Sequence, residues 1–152
     1  MWETQGNNVI NQHTGSNLMA KLLKDPKLVE CFVVVDTQMT PTAKFADYLL
    51  PDVAGQENDD FSGDSYSVGG NCYLIAMHKA VEPRHGQKRN WDIMRELAKR
   101  FGVEDKYTEG KTYDQWLRKC YEDTRKKVPE LPSFEQFWKQ GIAKYKVKED
   151  TG

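Results

Sequence analysis

The sequence predicts an α/β protein with a three-layer, doubly wound, mainly parallel sheet and extra C-terminal helices. Residues 31–35 (CFVVV) form a continuous apolar and β-branched run, typical of a strand buried on both faces. Strand-like and helix-like segments alternate through the first half of the chain, which favours parallel pairing. The length of 152 residues suits one domain with a sizeable core.

The elements of the first half follow from local patterns. A short opening strand is followed by residues 6–13, which have no period and predict a loop. Thr14 or Ser16 is expected to cap a helix that stops at residues 25–26, Asp-Pro. Pro41 fits the first turn of a short helix, and residues 48–50 predict a second buried strand closed by Pro51. The predicted apolar face of the first helix comprises Leu18, Met19, Leu22 and Leu23.

The second half begins with a long polar stretch at residues 52–71, which predicts either a functional loop or a disordered one. Residues 72–78 predict a strand. A helix is then expected from Lys88 or Asn90 to Phe101, with Gly102 as its C-cap. The charged tail at residues 144–152 is predicted to be flexible.

Two further helices are predicted from capping boxes, in which a hydroxyl residue precedes a Gln by three positions. Thr112 with Gln115 starts the first of them, and Ser133 with Gln136 starts the second. The aromatic residues that follow at helical spacing are expected in a core or an interface.

Composition argues against several functional classes. The 22 Lys and Arg residues balance 23 Asp and Glu residues, so net charge gives no reason to expect a nucleic-acid partner. The longest apolar run is too short to cross a bilayer and the first residues lack an export signal, which predicts a soluble chain. Cys31, Cys72 and Cys120 form no CxxC pair and are expected to be buried structural thiols.

Motifs for common chemistries are missing from the sequence. There is no GxGxxG, no P-loop and no GxSxG elbow, which leaves a classical NAD site, a phosphate cradle and acyl transfer unsupported. The three His residues lack the spacing of metal ligands. We therefore predict neither a catalytic residue nor a metal ligand in this chain.

Polar residues after the predicted strands are the candidates for binding, because ligands of open parallel sheets lie beyond the carboxyl ends of the strands. Asp36 at the end of the buried run can accept two hydrogen bonds from a guanine or a ribose, or it can form the N-cap or an Asx-turn for the helix at Pro41. The amides that follow the first strand suit an anionic or amide-bearing ligand, or they only satisfy a tight turn. These amides are Asn7, Asn8, Asn11 and Gln12.

Two stretches carry a resemblance to a known family: residues 6–13 (GNNVINQH) and residues 33–51 (VVVDTQMTPTAKFADYLLP). Together they resemble the molybdopterin oxidoreductases of the dimethyl sulfoxide reductase family. The similarity continues through Glu57 and the ranges 81–84, 96–102, 108–110 and 129–134, nearly to the tail.

That resemblance implies a cofactor. Family members hold molybdenum between two molybdopterin guanine dinucleotides, as bis(molybdopterin guanine dinucleotide)molybdenum, and exchange electrons with iron–sulfur centres. Residues 1–143 would be a fragment of one Rossmann-like domain that binds a dinucleotide. Small residues such as Ala43 and Ala46 would serve packing. The cofactor-binding residues implied are Asn7, Asn8, Asn11, Gln12, Asp36, Thr37, Thr40, Asn58 and Asn90.

Individual roles also follow from the resemblance. Asp36 with Thr37 would take the guanine or ribose end, Thr40 would fix the turn, and Asn58 would lie at the rim. Asn90 stands where the family commonly has an Asp, so it can form a hydrogen bond but brings no charge.

The parent enzyme implied by the resemblance reduces S-oxides or N-oxides by oxygen-atom transfer, with its iron–sulfur cluster outside this chain. Its expected partners are the rest of the catalytic subunit, an iron–sulfur electron-transfer subunit and a membrane-anchor subunit, in an exported prokaryotic complex. The chain alone is expected to be inactive and to self-associate. The alternative is a freestanding, non-catalytic α/β module that binds nucleotides or proteins through residues 52–71.

Overall fold

The computed structural model describes residues 1–4, 7–63 and 73–145, and its chain divides into two compact units. Unit 1 comprises the described parts of Met1–Ala54 and Glu82–Leu97. Unit 2 comprises the described parts of Gly55–Val81 and Ala98–Gly152. No helix among the described residues is long and apolar enough to cross a membrane.

Unit 1 is built on a parallel sheet with strand order β1-β2-β3. Its strands are β1 (Trp2–Glu3), β2 (Val33–Asp36) and β3 (Tyr48–Pro51). The helices are α1 (Val9–Gln12), α2 (Ser16–Leu23), a 3-10 helix at Ala43–Phe45 and the first part of α3 (Asn90–Arg100). The predicted mixture of helices with a parallel sheet is confirmed.

The core of unit 1 lies where β2 meets the helices. Leu23, Phe32, Val34 and Ala43 form one buried cluster, and Val34 and Val35 have no exposed surface. Phe32, Val34 and Val35 of the predicted apolar run are therefore buried, as the sequence predicted for a strand of a parallel sheet, whereas Val33 is half-buried. Cys31 at the start of that run is exposed, so its predicted burial is wrong.

Strand β3 departs from its predicted burial. Tyr48 is 63% exposed and Leu49 is 39% exposed. The reason is position: β3 ends the strand order of its sheet and pairs only with β2 among the described residues.

The N-terminal helices also differ from prediction. The expected loop at residues 6–13 contains α1, and the N-cap of α2 is Gly15, whose φ of 79° favours glycine, rather than Thr14 or Ser16. Leu18 and Leu22 are exposed, while Leu23 is buried and Met19 packs on the cluster. Of the predicted apolar face, only Met19 and Leu23, which are four residues apart, therefore contact the core.

Unit 2 contains an antiparallel sheet with strand order β4-β5-β6. Its strands are β4 (Asp60–Ser62), β5 (Tyr73–Met77) and β6 (Ile142–Lys144), and its remaining helices are α4 (Glu104–Thr108), α5 (Tyr113–Lys127), α6 (Phe134–Gln140) and a 3-10 helix at Gly55–Glu57. Leu74 and Ala76 are buried while Tyr73 and Ile75 are exposed. This alternation is typical of antiparallel sheets, which commonly have one solvated face, so β4, β5 and β6 do not extend the mainly parallel sheet that the sequence predicted. The three-layer, doubly wound arrangement stays a prediction, as does a single domain over residues 1–143.

Aromatic packing forms the core of unit 2. Tyr121 stacks on Phe137 with ring centroids 4.6 Å apart, and Phe61 meets both rings edge-on. Phe134 also packs on Tyr121, at 5.5 Å. The aromatics predicted from helical spacing thus join two helices to the sheet. Cys120, next to Tyr121, is exposed, so its predicted burial is wrong: α5 turns it away from the core.

Several elements of the second half match their predictions. Both capping boxes are present, α3 ends at Arg100, and Gly102 has a φ of 70°. The stretch at residues 52–71 is partly regular, since it contains the second 3-10 helix and β4. The predictions for Cys72, for residues 64–71 and for the tail beyond residue 145 lie outside the described residues.

Candidate functional site

Three carboxyl groups lie at the carboxyl ends of the three parallel strands of unit 1. Glu3 ends β1, Asp36 ends β2, and Asp52 follows β3 directly. Parallel strands end at the same edge of a sheet, which brings these groups to one edge. We call this set the carboxyl edge. It is where ligands of open parallel sheets bind.

Asp36 is held by the turn that follows its strand. Its Oδ1 accepts a hydrogen bond from the Thr37 amide at 2.7 Å and a longer one from the Gln38 amide at 3.4 Å. The turn-forming alternative for Asp36 is therefore observed. The same bonds fix the orientation of the carboxylate and leave Oδ2 without a hydrogen-bond partner among the described residues.

Glu3 is the most deeply buried of the three. Glu3 is only 2% exposed, and neither its Oε1 nor its Oε2 has a hydrogen-bond partner among the described residues. Burial, and secondarily the charge of Asp36, raise the pKa of Glu3 from its usual 4.5 to about 7. Glu3 is therefore largely protonated in mildly acidic solution.

Asp52 connects the carboxyl edge to the start of α3. Its Oδ1 accepts from the amide of Val53 at 2.8 Å and from the amide of Asn90 at 3.0 Å. Burial raises the pKa of Asp52, these two bonds act against that rise, and Asp36 adds to it. The Oδ1 atom of Asn90 is buried and has no partner among the described residues.

Asn8 is engaged in the fold. Its Oδ1 accepts from the Oγ1 of Thr42 at 2.7 Å and from the Thr42 amide at 3.3 Å. The Thr42 hydroxyl accepts in turn from the Ile10 amide at 3.1 Å, and Thr42 is fully buried. The oxygen of Asn8 thus joins the loop after β1 to the turn after β2.

The remaining predicted residues fall into two groups. Asn7, Asn11 and Gln12 are exposed in or just before α1. Thr40 Oγ1 accepts from the Ala43 amide at 3.1 Å, which holds the turn as expected. Asn58 belongs to unit 2, where its amide donates to the Tyr113 hydroxyl at 2.8 Å.

Sequence reasoning missed Glu3 and Asp52. Both had a visible signal: Glu3 is an acidic residue inside a strand, and Asp52 comes directly after Pro51, which closes one. Acidic residues are almost never fully buried unless they are paired, so composition alone did not single them out.

The carboxyl edge offers hydrogen-bond acceptors together with one readily protonated acid. It suits a neutral ligand rich in N–H donors better than an anion. Among residues 1–4, 7–63 and 73–145, no group of three or more His, Cys, Asp or Glu side chains is arranged to hold a metal ion.

Comparison with known proteins places these features in a family. The family model described as molybdopterin oxidoreductase matches residues 1–100. The chain is 44% identical over 144 residues to dimethyl sulfoxide reductase DmsA of Escherichia coli (strain K12), and the match covers 95% of this chain. It is 34% identical to the dimethyl sulfoxide/trimethylamine N-oxide reductase of Rhodobacter capsulatus, with 93% of this chain covered.

The chain spans only 18% and 17% of the lengths of those two relatives. Among solved structures, acetylene hydratase from Pelobacter acetylenicus is similar, with a TM-score of 0.59 and 25% identity. That similarity covers 81% of this chain and 16% of the hydratase chain.

Proposed function

This chain belongs to the molybdopterin oxidoreductase family, and from that premise we propose that unit 1 binds the guanine dinucleotide end of the molybdenum cofactor. The observation that carries the proposal is a set of oriented polar atoms, at the carboxyl edge and beside it, that have no partner in the part of the chain that the structure describes. Oδ2 of Asp36 and Oδ1 of Asn90 are such atoms among the described residues. The residues present therefore fit the group.

Asp36 would accept hydrogen bonds from the ring N–H and the exocyclic amine of guanine, while Thr37 and Gln38 hold its carboxylate in place. Asn90 would offer its unpartnered oxygen. The exposed amides of Asn7, Asn11 and Gln12 would face the rest of the dinucleotide.

The other predicted residues would act less directly. Asn8 and Thr40 would shape the site through the bonds that hold the turn after β2. Asn58 belongs to unit 2, where its amide donates to Tyr113, and its role as a cofactor contact stays a prediction from the resemblance. When bound, the molybdenum centre supplies the oxygen-atom transfer chemistry.

For the whole protein we propose reduction of S-oxide or N-oxide substrates, as in the dimethyl sulfoxide and trimethylamine N-oxide reductases that the chain is similar to. We also propose that the cofactor-binding domain is Rossmann-like and that an iron–sulfur cluster lies elsewhere in the protein. Its partners would be the electron-transfer and membrane-anchor subunits of an exported complex.

Calorimetry with GDP tests the binding proposal on the 152-residue chain. We expect Asp36→Ala to weaken GDP binding by about tenfold or more, because hydrogen bonds to a charged group are lost. Asp25→Ala is the matched control, since the Asp25 Oδ1 makes a similar turn bond to the Lys27 amide in the same unit. Equal affinities of wild type and Asp36→Ala would remove Asp36 from the site.

A further inference from the structure

We infer that Glu3 is a second contact for the base bound at Asp36, and that its protonated carboxyl donates a hydrogen bond to the ring keto oxygen. This inference rests on the proposed function, because it adds a residue to the same site. The base that Glu3 and Asp36 would select together carries a keto oxygen beside two N–H donors. Guanine and pterin rings share that edge.

The strand register places Glu3 beside Asp36. Glu3 pairs with Val34 across β1 and β2, and Asp36 is two residues farther along β2. Side chains alternate along a strand, so Val34 and Asp36 face the same side of the sheet, and Glu3 shares that side. The spacing of strands and residues puts the Glu3 and Asp36 Cα atoms roughly 8 Å apart.

Glu3 lacks the partners that a buried carboxyl needs. It is 2% exposed, yet both of its oxygens are unpaired among the described residues. An unpaired polar group in the interior costs stability, and a ligand at this edge would supply the missing partner.

Glu3 is the carboxyl that can hold a proton. Burial disfavours the charged form of a carboxyl, and Glu3 is more deeply buried than Asp36. Asp36 is the charged group that adds to the raised pKa of Glu3 from β2, and it also adds to the raised pKa of Asp52 at the end of β3. The pKa of Glu3 is raised to about 7. The edge thus presents a donor on Glu3 next to the acceptor oxygens of Asp36.

That pattern complements guanine. The ring N–H and the exocyclic amine donate to Asp36, and the adjacent keto oxygen accepts from Glu3. Adenine presents an amine donor in place of the keto oxygen, opposite the Glu3 donor, and a ring nitrogen acceptor in place of the ring N–H, opposite the Asp36 acceptor. The Glu3 oxygens are closed to solvent, so contact with the base requires the side chain to turn toward Asp36.

The test is the pH dependence of GDP affinity for wild type and Glu3→Gln. Gln can donate from its amide at any pH, whereas Glu3 loses its donor as it ionises. Between pH 6 and pH 8 we expect the dissociation constant of wild type to rise about tenfold relative to that of Glu3→Gln. The ratio is used because the terminal phosphate of GDP titrates equally in both proteins.

Two further measurements complete the test. The Glu3 side-chain carbon, followed by NMR, should titrate at higher pH when GDP is bound, since binding favours the protonated form. Glu3→Leu, with folding checked by the Val34 amide signal, should bind GDP more weakly than Glu3→Gln, and ADP should bind more weakly than GDP.

The outcomes separate this inference from the proposed function. Parallel pH profiles with an unchanged Glu3 titration overturn the role of Glu3, while loss of binding in Asp36→Ala still supports the site. No GDP binding by wild type at any pH overturns both. A Glu3-dependent profile with neopterin and none with GDP would overturn the guanine assignment and identify pterin as the base at this edge.

Discussion

Thr42 and Glu3 are both buried polar residues of unit 1, but their side chains differ in hydrogen bonding. Thr42 donates to Asn8 and accepts from Ile10, so its hydroxyl is satisfied. Glu3 has no such partners among the described residues and keeps its proton to a higher pH. A buried hydroxyl with hydrogen-bond partners stabilises a loop, whereas a buried carboxyl without partners makes the free energy of unfolding depend on pH.

Glu3 should make unit 1 less stable as the pH rises. The pKa is 4.5 in the unfolded chain and about 7 in the folded one, so stability is fully present below 4.5 and is lost as the pH approaches 7. The loss is about 3 kcal/mol. Urea unfolding of unit 1, followed by the Val34 and Val35 amide signals, should show this loss in wild type and a flatter profile in Glu3→Gln.

The exposed Glu30 provides the control for that experiment. Glu30→Gln should keep the wild-type pH profile, because an exposed carboxyl is solvated in both states. A Glu3→Gln profile that parallels wild type would show that Glu3 ionises as easily in the folded chain as in the unfolded one.

The start of α6 in unit 2 shows how a local sequence motif determines where a helix begins. The Ser133 hydroxyl accepts from the Gln136 amide, and the Gln136 side chain accepts from the Ser133 amide, both at 3.3 Å. These reciprocal bonds satisfy two amides that a helix start would otherwise leave unpaired. They place α6 so that Phe137 is buried against Tyr121.

Removal of this cap should destabilise α6. Ser133→Ala is expected to cost about 1 kcal/mol, because the Gln136 amide loses its acceptor. Hydrogen exchange at the Phe137 and Gly141 amides measures the change, with Ser133→Thr as the matched control that keeps a hydroxyl. Protection unchanged in Ser133→Ala would mean that the packing of Phe134 and Phe137 alone sets the helix start.

At the scale of the whole molecule, the chain combines a unit with a parallel sheet and a unit with an antiparallel one. Large apolar side chains remain on the surface, among them Leu18, Leu28, Tyr48 and Phe101. The chain also spans less than a fifth of its reductase relatives. Both observations fit the expectations from the sequence that the rest of a catalytic subunit is its partner and that the isolated chain self-associates.

The purified 152-residue chain should therefore show no reduction of dimethyl sulfoxide or trimethylamine N-oxide. The physical reason is that the chain spans only 18% and 17% of the lengths of two such reductases, so most of such an enzyme lies outside it. A reduced viologen dye assay with molybdenum analysis of the same sample measures this. Turnover above a heat-treated control would contradict the proposal.

The sequence by itself determined the elements whose cause is local. Strand β2 follows from a run of apolar β-branched residues, and α5 and α6 follow from capping boxes of four residues. The motifs around Asp36 were likewise sufficient to identify the family. In each case the residues responsible are neighbours along the chain.

Only the tertiary structure decided the rest, because the cause lies between residues that are distant in sequence. Asn8 is tied to Thr42, 34 residues away, and the exposure of β3 depends on where it lies in the sheet. Glu3 became part of the candidate site only when β1 paired with β2 and brought it beside Asp36. Burial and electrostatic coupling arise from packing, which no local pattern specifies.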